Sequence, residues 1–216
     1  MVIDLSKQHS LLNHWVAELR DVNVQNDRMR FRRNIERIGE IMAYEMSKEL
    51  HFENREITTP LGSKKSSEIK DKIIICSILR AGLTLHNGFL NYFDGAENGF
   101  ISAYRFHPNN DNDFEIKVEY EAISDINGGN LILVDPMLAT GQSIVAVFNK
   151  LISKGAPKEI HLAVVIAAPE GIKYLESQLP DYCHLWIASI DERLNEKNYI
   201  IPGLGDAGDL AFGSKL

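Results

Sequence analysis

The chain has 216 residues, of which 44% are hydrophobic and 25% charged, and this composition predicts one globular domain with a buried core. Its 23 basic and 30 acidic residues give a net charge of −7, which disfavours nonspecific binding to nucleic acid or to an anionic membrane. No apolar run approaches the roughly 20 residues of a membrane span, and the first residues lack a secretion signal, so we expect a cytoplasmic protein. Cys76 and Cys183 stand in separate apolar segments and are expected to be buried reduced thiols, with a disulfide as the less favoured alternative.

The first half of the chain predicts a long helix followed by a β-α-β unit. Apolar residues recur at steps of three and four between Phe31 and Leu50, which indicates a helix that begins near Asp27. Residues 51–71 contain turn-forming threonine, proline and glycine and are interpreted as a strand fragment plus a polar loop. The elements predicted next are a buried strand at 72–78, a helix at 82–93 and a strand at 100–105.

The second half repeats this alternation. Strands are predicted at 131–135, 159–167 and 184–189, and helices at 143–154 and from Pro169 onward. Continuous apolar strands separated by helices predict an α/β fold, with a mostly parallel twisted sheet flanked by helices. In such sheets ligands bind beyond the carboxyl ends of the strands.

We predict a single domain over residues 1–216, which includes an N-terminal arm and a small hood. Residues 1 to about 50 would form an N-terminal helical arm. Residues from about 106 to 120 would form a small hood, since the polar stretch from His107 to Lys117 has the composition of a mobile lid or hairpin.

The transition from strand to helix at residues 131–143 carries the strongest functional signal. Asp135 ends an apolar strand, and a short loop leads into a helix near Ser143. The amide groups of a helix N-terminus favour phosphate, Thr140 can add a hydroxyl, and Gly141 allows close approach of the backbone. A carboxylate suits a vicinal diol instead. A phosphate and a diol one sugar ring apart indicate a ribose 5-phosphate, although Asp135 and Ser143 acting only as caps remains open.

Two further segments should reach the same edge of the sheet. Arg80 follows the strand at 72–78, where its guanidinium could bind phosphate oxygens of a ligand; a surface arginine in a turn is the alternative. The glycine-rich segment 203–209 is predicted to be a loop, neither helix nor strand, with Asp209 capping or ordering it. Its main-chain N–H and C=O groups would be available to a flat ligand. No histidine is assigned to chemistry, and His161 and His184 are expected to pack within strands.

The segment "VDPMLATGQS" (134–143) resembles the 5-phosphoribosyl-1-pyrophosphate motif of the type I phosphoribosyltransferases, in the form associated with the uracil phosphoribosyltransferase family. Further resemblance lies at 78–83, at 167–172 with 188–196, and at 199–213, and it runs from about residue 25 to the C-terminus. It implies transfer of the 5-phosphoribosyl group to uracil, giving uridine 5′-monophosphate (UMP) and pyrophosphate in pyrimidine salvage. It also implies Mg²⁺ bound with the pyrophosphate of the substrate rather than a metal site made by the protein.

The resemblance implies roles for individual residues. It implies catalytic roles for Asp135, Arg105 and Asp206. It implies uracil contacts within a C-terminal loop at about residues 199–213, from Ile200, Gly205, Asp206 and Ala207. It implies phosphoribosyl pyrophosphate contacts from Arg80, Arg105, Asp135, Pro136, Met137, Leu138, Ala139, Thr140, Gly141, Gln142, Ser143 and Asp206.

Two positions depart from the family pattern. Glu121 stands where the family carries lysine, and Gln142 where glycine is usual. The first change leaves open a nucleotide-sensing subunit that has lost activity. Other open alternatives are a phosphoribosyltransferase for another base, and a regulator that senses phosphoribosyl pyrophosphate and binds RNA, which the charge of −7 disfavours. The resemblance also implies a homodimer or higher homo-oligomer, and GTP as an effector in some members.

Overall fold

The computed structural model describes residues 1–106 and 115–214, except for the side chains of residues 105, 106 and 115. The strands within these ranges are β1 Val2–Asp4, β2 Phe52–Thr59, β3 Gly62–Ile69, β4 Ile73–Leu79, β5 Glu97–Phe106, β6 Glu115–Ala122, β7 Asn130–Val134, β8 Met137–Leu138, β9 Glu159–Ala167, β10 Cys183–Ile190, β11 Arg193–Leu194 and β12 Ile200–Ile201. The α-helices are α1 Leu11–Arg20, α2 Arg28–Ser47, α3 Gly82–Leu90, α4 Gln142–Ile152, α5 Pro169–Gln178 and α6 Ala207–Phe212.

The predicted α/β fold with a mostly parallel sheet is confirmed. The central sheet has the order β1-β10-β9-β7-β4-β5-β6, with β8 beside β9. Its pairings are parallel except that of β5 with β6. The carboxyl ends of the parallel strands therefore meet at one edge, as the binding argument requires.

Helices cover both faces of the sheet, which explains why its central strands are apolar throughout. One core contains the apolar sides of α1, α2, α3 and α6, and the other contains those of α4 and α5. The face of α2 is the one predicted: Asp27 caps the helix through a bond from the Arg30 amide, and Phe31 and Ile35 are buried. No helix of residues 1–106 and 115–214 is long and apolar enough to span a bilayer.

Residues 51–71 are more regular than expected, because β2 and β3 pair along their whole length as an antiparallel hairpin. The interpretation as a strand fragment plus polar loop is wrong. The alternation of apolar and polar residues that marks a strand is weak here because both faces of the hairpin are exposed. The connection is the two-residue turn Pro60–Leu61, between the paired residues Thr59 and Gly62.

The helical arm predicted for residues 1–50 also contains a strand. β1 lies parallel to β10 at the edge of the main sheet, and three residues are too short to show a period in the sequence. Of the predicted hood, residues 115–120 belong to β6, which forms an antiparallel pair with β5. Residues 107–114 lie outside the described ranges.

The cysteines and the two strand histidines behave as predicted. Cys76 and Cys183 are buried and free. His161 is fully buried, its ring stacks on that of His184, and its Nδ1 accepts a hydrogen bond from the Trp186 indole at 3.2 Å. Desolvation and the neighbouring His184 lower the pKa of His161 to about 4, which suits a packed neutral residue.

Candidate active site

Strands β4 and β7 end side by side, and polar residues follow both of them. The two strands pair directly, with Ser77 opposite Val134. From β4 the chain crosses through α3 to β5 on one side, and from β7 it crosses through α4 to β9 on the other. Such a reversal of strand order opens a crevice at the carboxyl edge. A cleft of about 760 Å³ lies there, within the roughly 300–1,000 Å³ of small-molecule sites.

Asp135 follows β7 and lines this cleft. Its Oδ1 accepts the amide of Met137 at 3.3 Å, and its own amide bonds to Ala163 of β9 at 3.1 Å. Desolvation outweighs the Met137 bond and raises the pKa of the carboxyl to about 7. The group is thus poised to ionise near neutral pH, and a ligand that donates hydrogen bonds to it would favour the charged form.

The loop after Asp135 is anchored through its carbonyl groups. The carbonyl of Pro136 accepts the amides of Val165 and Ile166, both at 3.0 Å, and that of Leu138 accepts the amide of Ala168 at 2.9 Å. Gly141 has a φ of 81°, a left-handed conformation that glycine adopts without strain, and it begins α4 without a side-chain cap. The first amide groups of α4 are therefore presented at the end of this loop.

Arg80 follows β4 and also lines the cleft. Its Nη2 donates to Asp209 Oδ1 at 2.9 Å and to the carbonyl of Gly213 at 3.2 Å. Its Nε is buried without a hydrogen-bond partner among the described residues. The side chain is 39% exposed, so it can still meet a ligand in the cleft.

The C-terminal segment forms the third wall. Ile200 belongs to β12, and Gly205 and Asp206 follow it along the cleft. The prediction that residues 203–209 form only a loop is wrong, because α6 begins at Ala207. Asp206 caps this helix by accepting the amide of Asp209 at 2.9 Å, while the Asp209 side chain pairs with Arg80. Capping by the earlier aspartate offsets the glycine content that argues against a helix.

The predicted site residues divide into three groups. Those that line the cleft are Arg80, Asp135, Met137, Ala139, Ser143, Ile200, Gly205 and Asp206. Those in the same segments that are buried or lie outside the cleft lining are Pro136, Leu138, Thr140, Gly141, Gln142 and Ala207. Arg105 is the penultimate residue of β5, and its side chain lies outside the described part of the structure.

Sequence reasoning missed several other residues of the cleft wall. Tyr104 of β5 lines it, as do Lys197, Asn198 and Tyr199 just before β12. Tyr199 is 60% exposed beside the predicted base contact Ile200. Their position in the sequence could have identified them, because they adjoin segments already assigned to the site. Large exposed aromatic side chains near a polar cleft also often contact ligands.

Glu121, the main departure from the family pattern, does not line the cleft. It stands opposite Ile101 of β5 and forms an ion pair with Lys154, which follows α4. Its side chain is only 11% exposed, so Lys154 provides the charge partner that this buried carboxylate needs. The acid therefore belongs to a local ion pair near α4.

Among the described residues, two carboxylates line the cleft and none of the side chains form a cage for a metal ion. Asp135 and Asp206 line the cleft, and the described residues contain no group of three or more His, Cys, Asp or Glu side chains able to hold a metal. Mg²⁺ commonly keeps several waters and binds through one or two carboxylates plus substrate phosphates. The residues present fit an ion that arrives on a phosphorylated substrate.

Comparison with known proteins gives a consistent result. The model of the family described as uracil phosphoribosyltransferase matches residues 6–214. The uracil phosphoribosyltransferase of Porphyromonas gingivalis is 54% identical over 215 residues, which cover 100% of this chain and 99% of that protein. That of Thermococcus gammatolerans is 37% identical over 204 residues, covering 93% and 88%. A solved structure of a protein from Aquifex aeolicus matches with a TM-score of 0.88 at 30% identity, over 99% of this chain and 98% of that one.

The parallel sheet, the loop after β7 and these matches define a phosphoribosyltransferase, an enzyme that transfers a pentosyl group. Within that class, the chain belongs to the uracil phosphoribosyltransferase family.

Proposed function

We propose that the chain transfers the 5-phosphoribosyl group of 5-phosphoribosyl-1-pyrophosphate to uracil, giving UMP and pyrophosphate. A bond forms between N1 of uracil and C1 of the ribose, the bond from C1 to the pyrophosphate oxygen breaks with its electron pair leaving on pyrophosphate, and the N1 proton is released to solvent. The observation that carries the proposal is the shared cleft, where Asp135, Arg80 and the segment around Gly205 meet.

The ribose phosphate would lie along the loop after β7. Its 5′-phosphate would meet the amide groups of residues 138–143, where α4 begins without a side-chain cap, together with the hydroxyl of Thr140. Its two ring hydroxyls would donate to the Asp135 carboxylate, which lies at the start of the same loop. These contacts would fix C1 for attack.

The pyrophosphate would bind on the Arg80 side of the cleft. The unpartnered Nε of Arg80 is a donor for a phosphate oxygen, and Arg105 is proposed as a second cation. Mg²⁺ bound to the pyrophosphate would neutralise charge that develops on the leaving group, with Asp206 as the proposed carboxylate nearest to it. Asp206 and Asp135 would also stabilise positive charge at C1 in the transition state.

Uracil would bind against the segment from Ile200 to Ala207. Backbone groups there suit the acceptor, donor and acceptor edge of uracil, whereas cytosine would leave a buried group unpaired. This difference predicts a strong preference for uracil over cytosine.

The purified protein should convert uracil and phosphoribosyl pyrophosphate to UMP in the presence of Mg²⁺. The same assay with cytosine, orotate, hypoxanthine and guanine tests specificity, and replacement of Mg²⁺ by EDTA tests the metal requirement. Binding of both substrates without formation of UMP would favour the sensing alternative. Turnover with another base alone would favour another base specificity.

We also propose that the protein is a homodimer in which the β2–β3 hairpin contacts the second copy. A two-stranded hairpin is at best marginally stable alone in water, and this one is exposed on both faces. Its tip residue Leu61 is fully exposed, and Phe52 and Ile69 near its base are 44% and 41% exposed. It carries three acidic and three basic residues, which suits contact with a copy of the same chain.

We expect Leu61→Asp to weaken the dimer by at least about tenfold, because a charge would replace an apolar contact at the interface. Sedimentation velocity over a concentration series measures this change. Leu11→Asp is the matched control, since Leu11 is also exposed, at 64%, but lies on α1. A wild-type protein that sediments as a monomer, or an unchanged mass for Leu61→Asp, would contradict the proposal.

Two further expectations belong with this function. GTP as an effector is tested by adding it to the UMP assay at subsaturating substrate. A cytoplasmic location is tested by fractionating cells that express the protein.

A further inference from the structure

A buried ion pair outside the cleft holds Gly203, which lies between the proposed base contacts Ile200 and Gly205. Arg20, the last residue of α1, donates from Nη1 to Asp191 Oδ2 at 2.9 Å, and from Nη2 to Asp191 Oδ1. Asp191 follows β10 and its side chain is 2% exposed, while that of Arg20 is 22% exposed. Ser189 of β10 accepts a further bond from Nη2 at 3.2 Å.

Both partners of this pair also bond to the backbone of Gly203. Arg20 Nη1 donates to the Gly203 carbonyl at 2.9 Å, and Asp191 Oδ2 accepts the Gly203 amide at 2.9 Å. The carbonyl and the amide of Gly203 are therefore both held by the same ion pair. Hydrogen bonds to charged groups are stronger than neutral ones, which makes this a firm attachment.

Gly203 is a position that a residue with a side chain could not occupy without displacing its neighbours. Its φ is 67°, and a Cβ there would stand 2.3 Å from the carbonyl oxygen of Ile200. The next residue is also held, because Gln25 Nε2 donates a hydrogen bond to the Leu204 carbonyl at 3.3 Å. Since Gly203, Leu204 and Gly205 all line the cleft, the orientation of the following backbone groups depends on how Gly203 is held.

Arg20 and Asp191 do not themselves line the cleft. We propose that they are positioning residues: the Arg20–Asp191 pair fixes the Gly203 backbone so that the groups of Gly205 to Ala207 meet the edge of uracil. This inference rests on the proposed function, because it assigns the base to that segment. The N-terminal helix α1 thereby determines affinity for the base from outside the site.

Asp191→Asn keeps the shape of the side chain but places an amide NH₂ against the donors of Arg20. We expect the KM for uracil to rise at least about tenfold and the KM for phosphoribosyl pyrophosphate to rise severalfold less, because only Asp206 of this segment is also assigned to that substrate. Arg20→Lys keeps the charge but loses the fork, so an intermediate rise in the uracil KM is expected. A general loss of structure would instead raise the KM for both substrates to a similar extent.

The pair between Arg30 and Glu18 provides the matched control. It is also a two-bond arginine–carboxylate pair, joins α1 to α2, and makes no hydrogen bond to the 200–205 segment. Glu18→Gln should leave the uracil KM within about twofold of wild type.

If Asp191→Asn does not fold, the double variant Arg20→Met/Asp191→Leu replaces both charges with apolar groups, a change that buried pairs often tolerate. It should fold and still show the raised uracil KM, because Gly203 has lost both partners. Hydrogen exchange at the Gly203 amide, which should accelerate in every variant of the pair, gives a readout that does not need activity.

A uracil KM within about twofold of wild type in these variants, or an equal rise for both substrates, would overturn the inference. If the wild-type protein makes no UMP, the proposed function fails and the role in base binding fails with it. Faster exchange at Gly203 would then identify the pair as structural only.

Discussion

Asp135→Asn should lower kcat/KM for phosphoribosyl pyrophosphate by about a hundredfold or more while making the folded protein more stable at pH 8. The activity falls because the carboxylate is proposed to accept two ribose hydroxyls, and each hydrogen bond to a charged group is worth roughly 1.5–3 kcal/mol. The stability rises because burial opposes ionisation of this group, as its pKa of about 7 shows. The side-chain oxygen of asparagine can still accept the hydrogen bond from the Met137 amide, but it places no charge in the buried position.

The pH dependence of the same residue has a defined sign. Its pKa is raised from 3.8 to about 7 on folding, so between these values the folded state binds the proton more tightly than the unfolded state. Its contribution to the free energy of unfolding is therefore greatest at low pH and is lost as pH rises through about 7. The gap in thermal stability between Asp135→Asn and wild type should widen as pH rises toward 7 and level off above it, and wild-type kcat/KM should fall below pH 7 as the carboxyl protonates.

Parallel measurements of thermal unfolding and initial rates from pH 5.5 to 8.5 test both effects. Asp94→Asn is a suitable control, since Asp94 is exposed and lies outside the cleft. Wild-type activity in Asp135→Asn, or a lower melting temperature at pH 8, would contradict the assignment of Asp135 as a desolvated carboxyl that binds the ribose.

Gly171→Ala should displace the proposed phosphate loop from the first turn of α5. A Cβ at Gly171 would stand 2.1 Å from the carbonyl oxygen of Ala139, and Ala139 lines the cleft within that loop. Because the clash is with backbone, the loop or the helix must move. Overpacking of this kind typically lowers the free energy of unfolding by about 1–3 kcal/mol. We expect the KM for phosphoribosyl pyrophosphate to rise at least about tenfold, with a smaller change for uracil.

Gly95→Ala is the control for this change, because a Cβ at Gly95 meets nothing within 4 Å. Steady-state kinetics with each substrate varied in turn, and thermal unfolding of both variants, provide the measurement. A normal KM for phosphoribosyl pyrophosphate in a correctly folded Gly171→Ala protein would place the phosphate away from this loop.

The sheet and its loops could be predicted because their signals are local. Buried strands such as 159–167 are uninterrupted apolar runs, and Asp135 stands directly where one of them ends. The direction of a parallel sheet then places such residues on one edge without further information. The same reasoning predicts that Arg80 and the 131–143 loop lie close together, and both line the cleft.

The features that were missed depend on long-range contacts or on competing local signals. The β2–β3 hairpin has two polar faces and therefore no clear period, and α6 was obscured by its glycines although Asp206 and Asp209 have the spacing of a cap and its partner amide. The bond network from Arg20 to Gly203 joins residues that are 183 positions apart. A sequence pattern cannot reveal such a pair, because it contains no periodicity that links the two ends of the chain.

The central claim is that a ribose 5-phosphate binds between the start of α4 and Asp135. A crystal structure with phosphoribosyl pyrophosphate and Mg²⁺ tests it most directly. We predict the 5′-phosphate within about 3 Å of the amide groups of residues 138–143, and the ring hydroxyls within hydrogen-bond distance of the Asp135 carboxylate. A fully occupied ligand bound elsewhere, with solvent between Asp135 and the first turn of α4, would contradict the claim.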